Sequence, residues 1–294
     1  MSNKAKVLFV YPNERHMSTV PPSIALFSQL LKDKGHDVDL FDTTFYEFDD
    51  EIKNSDTDSS KVKRLTARPA VLDKDDDDLH FDYLTSDPAD DLRKKILDFK
   101  PDLLAVTCTE TTFPRGLKLI KQTRDLGILN IFGGVFPTFA PQLVMNNKEI
   151  DMCCVGEGEN AITSLADRLA EGKNYSDVTN LWVRMPDESI VKNKVTDPVD
   201  INLLPAVTDI GLFGEKRFYR PMGGKIRRLL PVETHRGCPY TCSFCNSPSQ
   251  NRLYENHSTK FFRKKSIKLV RDEIEAHVKK WKINYIAFWA DTFL

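Results

Sequence analysis

Residues 6–42 read KVLFVYPNERHMSTVPPSIALFSQLLKDKGHDVDLFD, and their pattern decides the fold class. Val7-Leu8-Phe9-Val10-Tyr11 is a short, β-rich apolar run that stops at Pro12, which reads as a buried strand. After Pro21-Pro22, Ser23 is placed to cap a helix in which Ile24, Phe27, Leu30 and Leu31 recur at helical spacing. Gly35 ends that helix, and Val38-Asp39-Leu40-Phe41 forms a second strand. Strand, helix and strand in such close succession are the unit of a parallel sheet, whose neighbours need crossover helices.

The alternation resumes after residue 91. Leu92, Ile96 and Phe99 line a helix, and Leu103 to Val106 form a strand. Leu117, Ile120 and Leu126 mark the next helix, and Ile128 to Phe132 the next strand. Met152 to Val155 make a fifth strand, followed by a helix through Ile162, Leu165 and Leu169. Residues 1–175 are therefore expected to form an α/β domain with a doubly wound, Rossmann- or flavodoxin-like parallel sheet. Ligands of such sheets sit beyond the carboxyl ends of the strands.

Between Glu47 and Asp91 the character changes. This segment holds 15 acidic and 6 basic residues, including Asp75 to Asp78, with too few apolar groups to organise a core. It reads as a solvated insertion. The tetra-aspartate run lacks the glycine and spacing of a calcium loop.

Residues 176–225 read as a linker with a hairpin, in which Leu181 to Arg184 and Ser189 to Lys192 flank Pro186-Asp187-Glu188. A second domain opens with a strand over Ile226 to Thr234. It continues through a cysteine cluster, a helix from Ser266 to Trp281 and a strand over Tyr285 to Phe288. Ile267, Val270, Ile274, Val278 and Trp281 are expected on the packed side of that helix.

Composition narrows the function. The 294 residues carry a net charge of −1, with 42 basic and 43 acidic side chains and no basic block of the kind that tracks nucleic-acid phosphates. The longest uncharged stretch, Gly127 to Asn147, is broken by Gly133-Gly134, Pro137 and Pro141, so it does not read as a membrane span. The N-terminus lacks a signal-peptide apolar region, and the expected location is cytoplasmic. Six cysteines, three of them within eight residues, fit a reduced compartment and a metal site better than a disulfide framework. Cys108, Cys153 and Cys154 lie in or at the ends of apolar strands and read as small buried hydrophobes.

The cluster is Thr234-His235-Arg236-Gly237-Cys238-Pro239-Tyr240-Thr241-Cys242-Ser243-Phe244-Cys245. Three thiolates on one short loop can each bind an iron of a [4Fe–4S] cube and leave the fourth iron open. A zinc site closed by His235 as the fourth ligand is the alternative.

The spacing C-x₃-C-x₂-C, with an aromatic before the third cysteine, resembles the radical S-adenosylmethionine (SAM) superfamily signature. The resemblance implies that Cys238, Cys242 and Cys245 ligate a [4Fe–4S] cluster that donates an electron to SAM, with Phe244 lining the adenine site. A core aromatic anchoring the loop is the other reading of Phe244. In that family the strand ending Trp289-Ala290-Asp291 commonly closes on two acidic residues near the SAM methionine; here Asp291 alone can fill that role. The implied domain is the beginning of a (β/α) partial barrel over residues 226–294, and the chain is expected to be a truncated product or fragment.

The N-terminal half resembles the B12-binding domain that precedes some radical SAM barrels. The resemblance rests on Pro21-Pro22-Ser23, Gly133-Gly134-Val135-Phe136-Pro137-Thr138 and Val155-Gly156-Glu157-Gly158-Glu159, in that order. Gly133, Gly134 and Val135 after one strand, and Gly156, Glu157 and Gly158 after the next, would let backbone approach a flat ligand. Glu157 would accept hydrogen bonds from ribose or amide groups, and Thr107 and Thr109 offer hydroxyls at the same edge. His16 is a candidate cobalt ligand, although its stretch lacks the Asp and Gly of the D-x-H-x-x-G motif. A Rossmann-like nucleotide site is the alternative, but G-x-G-x-x-G does not occur.

These readings converge on a cobalamin-dependent radical SAM enzyme that acts on a small-molecule or biosynthetic-intermediate substrate. Methyl transfer to an unactivated carbon is the expected reaction, with cyclisation or rearrangement as alternatives. The expected cofactors are a [4Fe–4S] cluster, SAM and cobalamin, and the electron donor a flavodoxin or ferredoxin. A corrinoid carrier or sensor with a non-catalytic cluster loop is the rival from another class.

Overall fold

The computed structural model describes residues 4–14, 19–48, 83–222 and 225–292. His16, the tetra-aspartate run and most of the acidic segment lie outside the described residues.

The first domain is a seven-stranded sheet. Its parallel part comprises β1 (Lys6–Tyr11), β2 (Asp37–Asp42), β3 (Leu103–Thr107), β4 (Leu129–Gly133) and β5 (Met152–Cys154), in the order β2-β1-β3-β4-β5. This is the doubly wound arrangement, and it places the topological switch point between β1 and β3. The continuous apolar runs follow from burial on both faces. Val7, Phe9, Leu103, Ala105 and Ile131 face one core, and Leu8, Val10, Leu104, Val106 and Phe132 face the other.

Helices α1 (Pro22–Asp33), α2 (Pro88–Phe99) and α3 (Phe113–Thr123) connect the early strands, and α4 (Val135–Phe139) and α5 (Pro141–Met145) lead from β4 to β5. After β5 comes α6 (Glu159–Ala170), which shares one face of the sheet with α1, while α2 and α3 cover the other. Ser23 does not cap α1: the helix already begins at Pro22, with Pro21 as its extended N-cap residue. Proline fits that first position because its fixed φ is helical and the missing N–H would have no partner there. Asp87 caps α2 instead, accepting a 2.7 Å hydrogen bond from the Ala89 N–H.

The hairpin read within the linker belongs to this sheet. β6 (Leu181–Arg184) pairs antiparallel with β5, and β7 (Ile190–Lys192) with β6. Leu181 and Val183 are buried in the same core as Met152 and Cys154, which is what draws the hairpin onto the edge.

The second domain is built on a three-stranded sheet of β8 (Tyr219–Met222), β9 (Lys225–Glu233) and β12 (Tyr285–Trp289), ordered β12-β9-β8. β9 and β12 run parallel, as a barrel opening requires, whereas β8, read as linker, pairs antiparallel with β9. A two-stranded ribbon of β10 (His235–Arg236) and β11 (Arg263–Lys264) flanks the cysteine loop, and α7 (Ser247–Leu253) follows its last cysteine. Helix α8 (Ile267–Trp281) starts on Ser266, whose side chain accepts the Leu269 N–H.

The packed side of α8 is not the expected one throughout. Val270, Ile274 and Trp281 do pack on the core of Phe218, Leu230, Val232 and Ile283, but Ile267 is 88% exposed and Val278 39%. Glu273 and His277 are buried in their place, and Lys265 pairs with Glu273 at 3.2 Å on that side.

Candidate functional site

A cleft of about 400 Å³ lies over the carboxyl ends of the parallel strands, between the two domains. On the first wall it is lined by Thr107 at the end of β3, Gly133, Gly134 and Val135 after β4, and Gly156 to Glu159 after β5. The second wall is made by Pro231, Glu233 and Arg236, with Lys265, Glu273 and Asp291. Of the residues singled out in the sequence, this brings together Thr107, both glycine-containing turns and Asp291. Thr109 is not among the lining residues; its hydroxyl faces those of Thr111 at 3.0 Å and Thr112 at 3.3 Å.

The two turns differ in what they present. Gly134 has φ +107°, and a Cβ there would meet the Cys108 carbonyl oxygen at 2.6 Å, so only glycine lets the β4 turn cross the end of β3. Thr138 ties the turns together, donating to the Gly134 carbonyl at 2.9 Å and accepting the Gly156 N–H at 3.2 Å. The β5 turn is covered from the second domain. Its Gly156, at φ +88°, leaves room for the Tyr254 hydroxyl, which accepts the Glu157 N–H at 2.9 Å.

Glu157 was expected to receive hydrogen bonds from a ligand. Both its carboxylate oxygens instead meet donors of the protein. Oε1 accepts from Arg236 at 3.2 Å and from Arg263 in a close contact; Oε2 accepts from Arg263 at 3.1 Å and from the Val199 N–H at 2.8 Å. Arg236 also binds Glu159 at 2.6 Å and Glu233 at 3.1 Å. Burial alone would raise the Glu157 carboxyl, but the Arg263 hydrogen bond and the charges of Arg236 and Arg263 hold it below the usual carboxylate range. Burial likewise works against the Arg236 guanidinium, and the charges of Glu159, Glu233 and Glu157 outweigh it. Sequence reasoning missed Tyr254, Lys265 and Glu273, which carry no local motif, and gave Arg263, noted only for its resemblance to the barrel opening, no role here.

The cysteine loop lies beside this clasp. Cys238 is buried at 9% exposure, and the Asn251 side-chain amide donates to its carbonyl at 2.7 Å. Cys242 and Cys245 are exposed and line a separate hollow with Thr241, Ser243, Pro248 and Arg252. Phe244 is 92% exposed and lines neither cavity. His235 stacks on Phe262 and meets the Thr234 hydroxyl at 2.8 Å. Among the described residues, no three His, Cys, Asp or Glu side chains are gathered closely enough to hold a metal ion.

The donor chemistry nonetheless fits an iron–sulfur cluster. All three thiols are free of disulfides, and Cys245 Sγ already accepts the Ser247 N–H at 3.4 Å, as a cluster thiolate would. The β4 turn leaves open space beside Gly133, where an added Cβ would have only the Cys154 Cβ near it, at 3.9 Å. Cys108, Cys153 and Cys154 behave as buried hydrophobes: burial pushes the Cys108 and Cys153 thiols up to about 12 and raises Cys154 as well.

Comparison with known proteins adds an independent line. A family model described as the B12 binding domain matches residues 70–166, a span that includes β3, β4 and β5 with the turns that follow them. The chain is 29% identical over 217 residues to the anaerobic magnesium-protoporphyrin IX monomethyl ester cyclase of Rubrivivax gelatinosus, covering 71% of this chain and 37% of that protein. It is 31% identical over 152 residues to the cobalamin-dependent radical SAM methyltransferase TokK of Streptomyces tokunonensis, covering 50% of this chain and 22% of that one. Its fold resembles that of the radical SAM methyltransferase TsrM from Kitasatospora setae, solved with cobalamin and a [4Fe–4S] cluster bound. That match has a TM-score of 0.62 at 17% identity, over 98% of this chain and 49% of TsrM. The chain thus spans less than half the length of these relatives. No helix among the described residues is long and apolar enough to cross a membrane. Residues 70–166 thus match the B12 binding domain, and the chain is similar over part of its length to a cobalamin-dependent radical SAM methyltransferase and to an anaerobic magnesium-protoporphyrin IX monomethyl ester cyclase.

Proposed function

We propose that this chain is the cofactor-binding part of a cobalamin-dependent radical SAM enzyme that transfers a methyl group to an unactivated carbon of a small molecule. The cleft carries the reading. It joins the β3 and β4 ends of the B12-matched segment to Arg236 and Asp291, which flank the cysteine-loop half of the chain. In this reading residues 1–175 hold the corrinoid, residues 176–225 connect, and residues 226–294 open the radical SAM domain.

Cys238, Cys242 and Cys245 would hold a [4Fe–4S] cluster, and Thr107, Gly133, Gly134 and Val135 would contact cobalamin. When bound, these groups supply an electron for SAM cleavage and a carrier for a methyl group. The residues themselves bind and orient. The β4 turn offers bare backbone to a flat ligand, and Thr107 adds a hydroxyl at its edge. Across the cleft, Asp291 would supply a carboxylate for holding SAM. Lys265 and Glu273 pair with one another at 3.2 Å, which keeps both polar groups satisfied on that wall. Six cysteines free of disulfides suit a reducing, cytoplasmic setting, where flavodoxin or ferredoxin would be the electron donor.

A second reading, a corrinoid-binding module without SAM chemistry, is favoured by one observation: Cys242 and Cys245 face a hollow separate from the cleft. The test is anaerobic reconstitution with iron and sulfide, followed by assay of methionine release from SAM under reducing conditions. The enzyme reading expects iron on the chain and methionine release, both lost in Cys242→Ala. Corrinoid retention without methionine release would favour the binding module.

A further inference from the structure

Both feet of the cysteine loop stand on one residue of the first domain. Arg236 lies two residues before Cys238, and Tyr254 follows α7 just beyond the last cysteine. Arg236 meets the Glu157 carboxylate, and the Tyr254 hydroxyl meets the Glu157 N–H. Arg263 grips the same carboxylate, and it is the direct register partner of Arg236 across the β10–β11 ribbon. One largely enclosed carboxylate, 11% exposed, thus pins both strands of the ribbon from which the loop springs. The aromatic packing runs the same way. Phe261 stacks on Tyr254 at 5.3 Å and 7°, and presses on Gly237, where an added Cβ would lie 2.7 Å from its ring.

We infer that Glu157 is a positioning residue: it fixes the cysteine loop against the β5 turn of the cofactor cleft, so that the loop's geometry is set from the first domain. Three features support this. The carboxylate lies at the junction of the cleft and the loop; its partners come from residues 79 and 106 positions away; and the linker joins at the same point, through the Val199 N–H. Charge-assisted contacts of this kind hold geometry more firmly than neutral ones. The assignment of the loop to cluster binding rests on the proposed function, whereas the positioning of Cys238 does not.

The test uses the full chain, reduced and free of metal, and reads iodoacetamide alkylation of each cysteine by mass spectrometry. In the wild type, Cys238 should react slowly and Cys242 and Cys245 quickly, in line with their exposure. Glu157→Gln keeps the shape but removes the charge, and should speed alkylation of Cys238 about tenfold, as loss of a charge-assisted contact closing a loop would. Glu157→Asp keeps the charge but is too short to span both arginines, and should fall between. Asp151→Asn serves as the control, since Asp151 pairs with Arg124 inside the first domain, away from the loop. It should lower the melting temperature and leave Cys238 protected. Should Glu157→Gln not fold by circular dichroism, Arg263→Lys is measured in its place, with the same expected exposure of Cys238. Unchanged Cys238 protection, or equal exposure in the Asp151→Asn control, would overturn the inference. Iron binding by the reconstituted wild type is scored separately: its failure would remove the cluster reading and leave the positioning result standing.

Discussion

The hydroxyl of Tyr254 occupies the space that a side chain on Gly156 would need. A Cβ at Gly156 would lie 2.5 Å from it, and the glycine holds φ +88°. The second domain therefore docks on the first through a position at which any side chain is excluded twice, by backbone conformation and by contact. Gly156→Ala should destabilise the chain by more than the roughly 1–2 kcal/mol expected of a left-handed alanine, because Tyr254 must also withdraw. Tyr254→Phe, which loses only the hydrogen bond from the Glu157 N–H, should cost about 1 kcal/mol. Urea unfolding of the two variants checks the ranking, and equal stabilities would contradict the contact.

Thiol reactivity separates the two groups of cysteines. Burial pushes Cys108 and Cys153 up to about 12, so at pH 8 only on the order of one molecule in ten thousand carries either thiolate. Cys242 and Cys245 are exposed. Short alkylation at pH 8 should label Cys242 and Cys245 and spare Cys108, Cys153 and Cys154. Labelling of Cys108 at the rate of Cys242 would contradict the packing of β3 described above.

His277 makes the fold sensitive to mild acid. Burial, with the nearby Lys280 charge, lowers its pKa from 6.5 to about 4. The unfolded chain therefore takes up a proton between those values and the folded chain does not. The stability is intact above about pH 6.5 and lost progressively as pH falls towards 4, by up to about 3 kcal/mol. Comparing the pH dependence of unfolding in the wild type and His277→Gln isolates this contribution. Identical curves between pH 7 and 4.5 would show that His277 is not held neutral.

The parallel sheet was legible because its strands are buried on both faces. Val7 to Tyr11, Leu103 to Val106 and Met152 to Val155 are short, continuous apolar runs of this kind. The hairpin was legible too, but its place was not. Nothing local in Leu181 to Arg184 says that β5 is its neighbour, since an antiparallel edge strand is added by packing of Leu181 and Val183 on the shared core. Helix α8 misled because periodicity ranks Ile267 and Val278 above Glu273 and His277; the Lys265 ion pair accompanies the burial of Glu273, and no local signal marks His277. The cleft turns were marked by their glycines. The use of Glu157 was hidden, because both arginines that hold it lie in the other domain.

The Lys265–Glu273 pair invites a direct check. Both side chains are nearly fully buried, so Lys265→Met alone should leave an unpaired carboxylate and cost about 3–5 kcal/mol. The double variant Lys265→Met, Glu273→Leu should recover most of that loss. Additive losses in a double-mutant cycle would show that the two residues do not act as a pair.

The most direct test of the central claim is the absorption spectrum of the full chain, purified anaerobically, reconstituted with iron and sulfide, incubated with hydroxocobalamin and desalted. The account predicts a cluster shoulder together with retained corrinoid bands, the shoulder lost in Cys242→Ala and the corrinoid bands kept. A colourless desalted protein, carrying neither iron nor corrinoid, would contradict it.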